Sequence, residues 1–505
     1  MGTFPKKVEN WSPRFTYGLI CLVSLVFMIW KGKSFGFWTD EFAQIVYSGM
    51  GKTLLESFLV IDPTPPLFNV LANIWYNLVP WGERWLLLLP QLAMVAGIYV
   101  SALWAERLGG ARLGVWTAVL LAFSRMVITH CGFEFRAYGV YLLAASLAFY
   151  SHSRVMDAGN EKVGRWGIVY WLSLLLLVYS HCLAFLIFFA LAFYDIVLIL
   201  RRRIPWTRLF IYFFSGILFL PWVIWIVYAY IVSKLSVSSD PSAAFSIASW
   251  MPRPGIMDIP DLCSYLCGNH ILVLLFFVCG GLFVLKKIAD AVKVRVFDVE
   301  LEQLLIPCWA AAFMILVMFV YGQNRSGFPT LWVARYFTGL FPCFAVVCAL
   351  GIETISAFAE KRSPTALKAM SVLFFVAIVG VHLGNVLADN ISEGNLSHRE
   401  ATEVMYQQPD IHDEDTLVMT SMKSFLEGWE EYYCRKQGQR EGIGLRSAHD
   451  VTEEELLSHD VVYFEYAYGY GSADREQLTI CQLLESKYSL DEEWSDVCLR
   501  RYVRK

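Results

Sequence analysis

Apolar residues in this chain gather into long blocks separated by short polar stretches. The blocks fall at roughly 15–31, 85–104, 112–128, 137–152, 166–180, 182–200, 209–232, 270–285, 304–321, 335–352 and 369–386. Each is long enough, or nearly so, to cross a bilayer core of about 30 Å as a helix. A further apolar stretch at 67–80 spans only about 14 residues, which suits an interfacial or re-entrant helix better than a crossing one. Beyond residue 386 the pattern changes. Helical periods at 399–408, 424–436, 453–459 and 475–487 alternate with β-like runs at 416–420, 460–466 and 497–503, as in a small α/β domain. The expected fold is therefore an α-helical polytopic membrane protein with about eleven transmembrane helices and interfacial helices in its first outer loop. A C-terminal α/β extracytoplasmic domain follows, the division being 1–386 and 387–505.

Charge sets the expected orientation. Cytoplasmic loops carry the excess of Lys and Arg. If 67–80 does not cross and the N-terminus is cytoplasmic, the inside segments hold Arg107/Arg112, Arg154/Lys162/Arg165, Arg201/Arg202/Arg203/Arg208, Lys286/Lys287/Lys293/Arg295 and Lys361/Arg362/Lys368. If it crossed, all of these clusters would be translocated. The non-crossing arrangement puts residues 31–84, the turn 130–136, the loop 234–269, the turn 322–335 and the C-terminal domain outside. The first block follows a weakly basic start but has no small-residue cleavage site after it, so it is expected to remain as an uncleaved first span.

Composition narrows the class. Of 505 residues, 57% are hydrophobic and 17% charged, against about 25% charged in soluble domains. Many Trp and Tyr lie at block ends, where amphipathic rings favour the headgroup region. A net charge of −4 gives no footprint for nucleic acid. The twelve Cys show no metal-ligand spacing. Cys434, Cys481 and Cys498 lie in the polar tail, and their pairing cannot be deduced from spacing. An integral protein of a bacterial inner membrane, N-terminus inside and C-terminal domain outside, is the expected setting.

The outer segments carry the candidate chemistry. Phe37-Trp-Thr-Asp-Glu-Phe places Asp40 and Glu41 just after the first span. Adjacent residues on a helix point about 100° apart, so one acid can face a cavity while the other serves as a structural acceptor. Thr39 is the expected N-cap; read alone, the pair also describes a solvated acidic cap. Asp62-Pro-Thr-Pro-Pro-Leu-Phe reads as a rigid turn and nothing more. Glu134 and Arg136 sit where the fourth span begins, with Tyr138 one step in. Charge at the hydrocarbon edge is costly and invites a functional reading; a local ion pair or a snorkelling Arg is the bland one. His181 lies at an outer helix end, where a lone His is commonly structural. Arg335 and Tyr336 open a late span. Two arginines suit a lipid phosphate, since the guanidinium fork matches phosphate oxygens, and a carboxylate beside them can take a proton.

At these residues the sequence resembles the GT-C superfamily of polyprenyl-phosphate-sugar-dependent glycosyltransferases. Within it, the sequence is similar to the branch of protein O-mannosyltransferases, lipid A aminoarabinose transferases and rhizobial galacturonosyltransferases. The shared order is a first span, an Asp-Glu pair, a Pro-Pro-Leu-aromatic segment, an Arg-x-Tyr opening the fourth span, an outer His and a late Arg-Tyr. The resemblance implies inverting transfer of a sugar from a polyprenyl phosphate to a hydroxyl of a glycan, lipid or protein, with no nucleotide sugar and, in this branch, no catalytic metal. It implies Asp40 as general base and Glu41 as an ordering group. Arg136 and Arg335 would bind the donor phosphate, Glu134 would position the sugar or Arg136, and Tyr138, Tyr336 and His181 would complete the donor site. Where the family has His before Pro-Pro-Leu, Thr64 stands here, so that contact is missing or falls to His130 or His181.

Two other classes fit the span count. A transporter or flippase of lipid-linked glycans would be expected to show repeated halves, broken helices in matching positions and ionisable residues near span centres. The sequence offers no such signal. A polymerase- or ligase-type polysaccharide assembly protein would concentrate its chemistry in one large loop between spans, whereas 234–269 is poor in His and Glu.

Overall fold

The computed structural model describes residues 12–32, 36–49, 51–60, 62, 64–80, 82–157, 164–236, 251–323, 330–388, 398–421, 426–436, 441–466 and 479–505. The chain forms two compact units. One comprises residues 1–30, 61–68 and 90–386, the other 31–60, 69–89 and 387–505. The first loop thus groups with the C-terminal residues, its aromatic side chains being buried among those of the tail.

In the first unit every apolar block of the sequence lies in a helix or a helix pair. Among the described residues, seven helices are long and apolar enough to span a bilayer: Pro13–Lys31, Glu83–Gly109, Trp206–Ala229, Ile271–Val294, Val299–Gly322, Ala334–Glu360 and Pro364–Ala388. The chain is therefore an integral membrane protein. Gly164–Ser180 and Ala184–Leu200 are apolar but shorter, and Tyr138–Asp157 completes the set. The block at 112–128, expected as one straight span, is instead broken. Ala111–Ala122 and Arg125–Gly132 meet at 57°, and the second piece ends in a π-helical turn, Ile128–Gly132. No proline or glycine stands at the break, so the continuous apolar run conceals it. The stretch at 67–80 forms a helix of twelve residues, Leu67–Leu78, too short to cross.

The second unit holds a five-stranded sheet of β1 (Thr416–Thr420), β2 (Arg446–Ser447), β3 (Val461–Glu465), β4 (Tyr488–Trp494) and β5 (Leu499–Arg504), in the order β2-β1-β3-β5-β4. β1 is parallel to β2 and β3, while β5 is antiparallel to β3 and β4. The apolar run Thr416–Thr420 was readable as a strand because it is buried within the sheet. β2 was missed because it is two residues long, and β4 because Leu490 to Glu493 is mostly exposed and charged. The helices His398–Tyr406, Glu453–Leu457 and Thr479–Lys487 and the turn Leu426–Trp429 fall in or beside the expected helical segments. Residues 422–425 and 467–478, parts of two of those segments, lie outside the described residues, as do 237–250 of the loop 234–269 and 324–329 of the late turn.

Candidate active site

In the first unit, five separate stretches of chain bring polar side chains together around His181. Tyr141 stacks on the imidazole with ring centroids 4.8 Å apart and planes 7° apart, while Tyr138 and Tyr336 lie at 5.6 and 5.5 Å. Tyr141 is held close to the turn that carries Arg335 because position 339 is glycine. A Cβ there would sit 2.4 Å from the tyrosine ring. That turn, Ala334–Leu340, is a 3-10 helix, and Leu331 before it has a left-handed φ of 57°, a costly conformation for a non-glycine residue that surrounding structure must enforce.

The nitrogen atoms of His181 have distinct duties. Nδ1 accepts the backbone N–H of Leu183 at 3.2 Å, which leaves the proton on Nε2. Burial, then Arg136 and Arg335, push its pKa down to about 3. The ring is consequently neutral, and it can offer an Nε2–H donor but will not accept a proton at ordinary pH. Both arginines expected to bind phosphate therefore act electrostatically on one histidine, which places them in one neighbourhood. Each is half-buried.

Glu134 has a partner that the sequence reading did not assign to it. Its carboxylate is hydrogen-bonded to His130 Nδ1 at 2.6 Å, with both side chains retaining some exposure. The i,i+4 spacing on a helical turn was the signal available in the sequence. Tyr265, from the helix Asp258–Leu266, lies 5.8 Å from the His130 ring and adds an aromatic wall that the sequence reading missed. Nothing in its local sequence marks it.

The Pro-rich segment also belongs here. Asp62 accepts the backbone N–H of Thr64 through Oδ1 at 3.2 Å, an Asx-type turn. Pro65 and Cys182 line one apolar cavity of about 440 Å³, shared with Val178, Phe185, Phe189 and Phe219. Cys182 directly follows His181, and the Asp62 carboxylate acts on it electrostatically. The motif read as a plain turn thus brings an acid and a cavity wall to the histidine cluster. The result is a two-part site, with arginines, histidines and tyrosines beside an aromatic-lined apolar hollow.

Asp40 and Glu41 lie in the second unit, on the helix Thr39–Ser48. The N-cap is Trp38, not Thr39. Glu41 is fully buried and its Oε2 accepts the Trp38 backbone N–H at 3.2 Å, so Glu41 satisfies an orphan donor of the first turn. Asp40 is half-buried and faces away from that bond by one helical step. The adjacent acids therefore divide into one structural acceptor and one side chain that solvent can reach. Among the described residues no group of three or more His, Cys, Asp or Glu has the arrangement to hold a metal ion.

No family model matches the chain, and no curated protein matches it. Solved structures do. The crystal structure of ArnT from Cupriavidus metallidurans bound to undecaprenyl phosphate superposes with a TM-score of 0.56 at 14% identity, covering 97% of each chain, and its apo state matches equally. The Archaeoglobus fulgidus oligosaccharyltransferase tethered to an acceptor peptide containing the NVT sequon gives a TM-score of 0.51 at 13% identity, over 98% of this chain and 75% of that one. Both are GT-C superfamily members, and this chain shares their fold across nearly its whole length.

Proposed function

We propose that this protein is an inverting glycosyltransferase that moves a sugar from a polyprenyl monophosphate to a hydroxyl acceptor at one membrane face. The observation that carries the reading is the junction at residues 181–182. A cluster influenced by Arg136 and Arg335 meets an apolar cavity there, and a lipid phosphate needs both chemistries side by side. The fold shared with ArnT, which binds undecaprenyl phosphate in its crystal structure, supports the assignment.

In the proposed reaction the acceptor oxygen attacks the anomeric carbon opposite the departing phosphate. The C–O bond to phosphate breaks, the new glycosidic bond forms, and Asp40 takes the acceptor proton. Negative charge gathers on the leaving phosphate, where Arg136 and Arg335 stabilise it. Neutral His181 adds an Nε2–H donor beside the arginines. This scheme assigns charge neutralisation to the arginines and calls on no metal ion or nucleotide. The eleven helices each cross the membrane in the proposed topology, with the N-terminus and the Arg/Lys-rich loops inside.

The test is Asp40→Asn assayed in membranes with polyprenyl-phosphate sugars. Transfer is expected to vanish while insertion and protein level stay at the parent value. Undiminished transfer by this variant would falsify the base assignment. Mass spectrometry of lipid-linked sugars in cells lacking the protein is expected to show one polyprenyl-phosphate sugar accumulating, which would identify the donor.

A further inference from the structure

We infer that the C-terminal sheet domain sets the position of the Asp40 helix, with Tyr433 and Trp429 as its positioning residues. The inference rests on the proposed role of Asp40 and supplies a duty for the tail.

The helix Thr39–Ser48 has ten residues, below the ~12–15 at which an isolated helix becomes even marginally stable in water. Its placement must therefore come from what it packs against. Two sets of contacts hold it to the tail. The first grips the chain just before it. The Phe37 backbone N–H donates to the Tyr433 hydroxyl at 2.7 Å, and that hydroxyl donates in turn to Glu83. The other oxygen of Glu83 is paired with Arg399 at 2.8 Å. Position 36 is glycine because a Cβ would lie 2.5 Å from the Tyr433 hydroxyl oxygen and 3.2 Å from Arg399.

The second set grips the helix itself. Phe42 is fully buried. It stacks on Trp429 at 6.1 Å with planes 8° apart and meets the edge of Tyr433 at 5.8 Å. Behind Trp429 stands His398 at 4.3 Å, fully buried and 3.4 Å from Glu465. Glu465 also accepts the Thr420 hydroxyl. Thr420 and Glu465 are paired residues at the ends of β1 and β3. Trp429 is fixed from its other side, where its Nε1–H donates to Thr402 at 2.8 Å. Contacts therefore run without a break from two paired strands through His398 and Trp429 to Phe42, two residues from Asp40. A sheet is the stiffest element available to this unit, and the acid helix is tied to its end. Displacing a reacting group by about 1 Å costs on the order of a hundredfold in rate, so such a tie has a direct kinetic meaning.

Hydrogen–deuterium exchange on the full-length protein in lipid nanodiscs, combined with kinetics, tests the inference. In Tyr433→Phe and in Trp429→Ala, amides of residues 36–48 are expected to exchange about tenfold faster or more, as a local opening would give, while β1 and β3 keep their protection. Turnover in both variants is expected to fall by about a hundredfold with donor KM nearly unchanged. Trp429→Phe, which keeps a stacking ring, is expected to restore most of both. Unchanged exchange in 36–48, or equal loss of protection across β1 and β3, overturns the positioning role. The exchange result stands apart from the reading of Asp40 as base. If Asp40→Asn keeps full turnover while Tyr433→Phe still loosens 36–48, the mechanical tie is right and the base assignment is wrong.

Discussion

The helix Tyr138–Asp157 meets polar company at both ends, and the two ends are built differently. At its start Tyr138 packs beside His181 among Arg136, Glu134 and Arg335. Some 21 Å along the axis, at 1.5 Å per residue, His152 meets Asp195. There His152 Nε2 lies 2.8 Å from the Asp195 carboxylate, Arg208 lies 3.7 Å from it, and the Tyr212 hydroxyl donates to it at 2.9 Å. Tyr170 extends the chain through Tyr212 at 2.6 Å. All three ionisable side chains are 0% exposed, whereas His130 and Glu134 at the other end retain 17% and 11%. One end closes its charges on each other. The other leaves carboxylate and imidazole within reach of a ligand, next to an apolar hollow. Asp195, inside an apolar helix, also departs from the expectation that such helices carry no ionisable interior residue. Its partners explain how it is tolerated. The contrast teaches that charge at a helix end points to function where it keeps some exposure, and to structure where it is sealed among its partners.

The largest effect expected from this contrast is on stability. Asp195→Ala leaves Arg208 buried without a counter-charge, and breaking such a pair costs about 3–5 kcal/mol. The melting temperature of the purified protein is expected to drop sharply, with donor KM of the surviving folded fraction unchanged. A variant that melts like the parent yet loses turnover would move this network from the structural to the functional side of the comparison.

Arg335→Ala is expected to do the reverse. Removing one preorganised donor at a developing oxyanion costs about 3–4 kcal/mol in the transition state, so kcat/KM for the polyprenyl-phosphate sugar should fall by two to three orders of magnitude. The side chain is half-buried at a helix end, so the melting temperature should hold. An unchanged kcat/KM would remove Arg335 from the phosphate site and leave Arg136 to act alone.

The sequence allowed these two ends to be told apart only in part. Arg136 and Arg335 stood out because charge at the edge of an apolar block is conspicuous, whereas His181 read from the sequence as an ordinary structural histidine. The helix blocks and the β1 and β3 strands were recognisable because burial imposes a period. The His152–Asp195–Arg208 network was not, because its members are 43 and 13 residues apart and each alone resembles an ordinary helix-end residue. Asp62 was set aside as a turn former, since its approach to Cys182 depends on tertiary packing. The break at Phe123–Ser124 carries no local signal. The two acids could be read as unequal partners, but which of them is the structural acceptor required the cap geometry, where Glu41 accepts from Trp38. The role of the tail was out of reach, because the contacts among Phe42, Trp429 and His398 join residues nearly four hundred positions apart.

His181 offers the finest test of the comparison, because it is a buried histidine without an acid to hold its charge. Its folded pKa is about 3 against an ordinary 6.5, so the unfolded chain binds a proton throughout the interval between them and the folded chain does not. Stability from this residue is therefore complete above pH 6.5 and declines as pH falls toward 3. Going from pH 6.5 to about pH 5 should cost roughly 2 kcal/mol. His181→Gln keeps a donor of similar reach but cannot titrate, so it should lose part of its stability at neutral pH yet show a flatter melting-temperature profile across that interval. A profile as steep in His181→Gln as in the parent would mean that the acid-sensitive group is elsewhere.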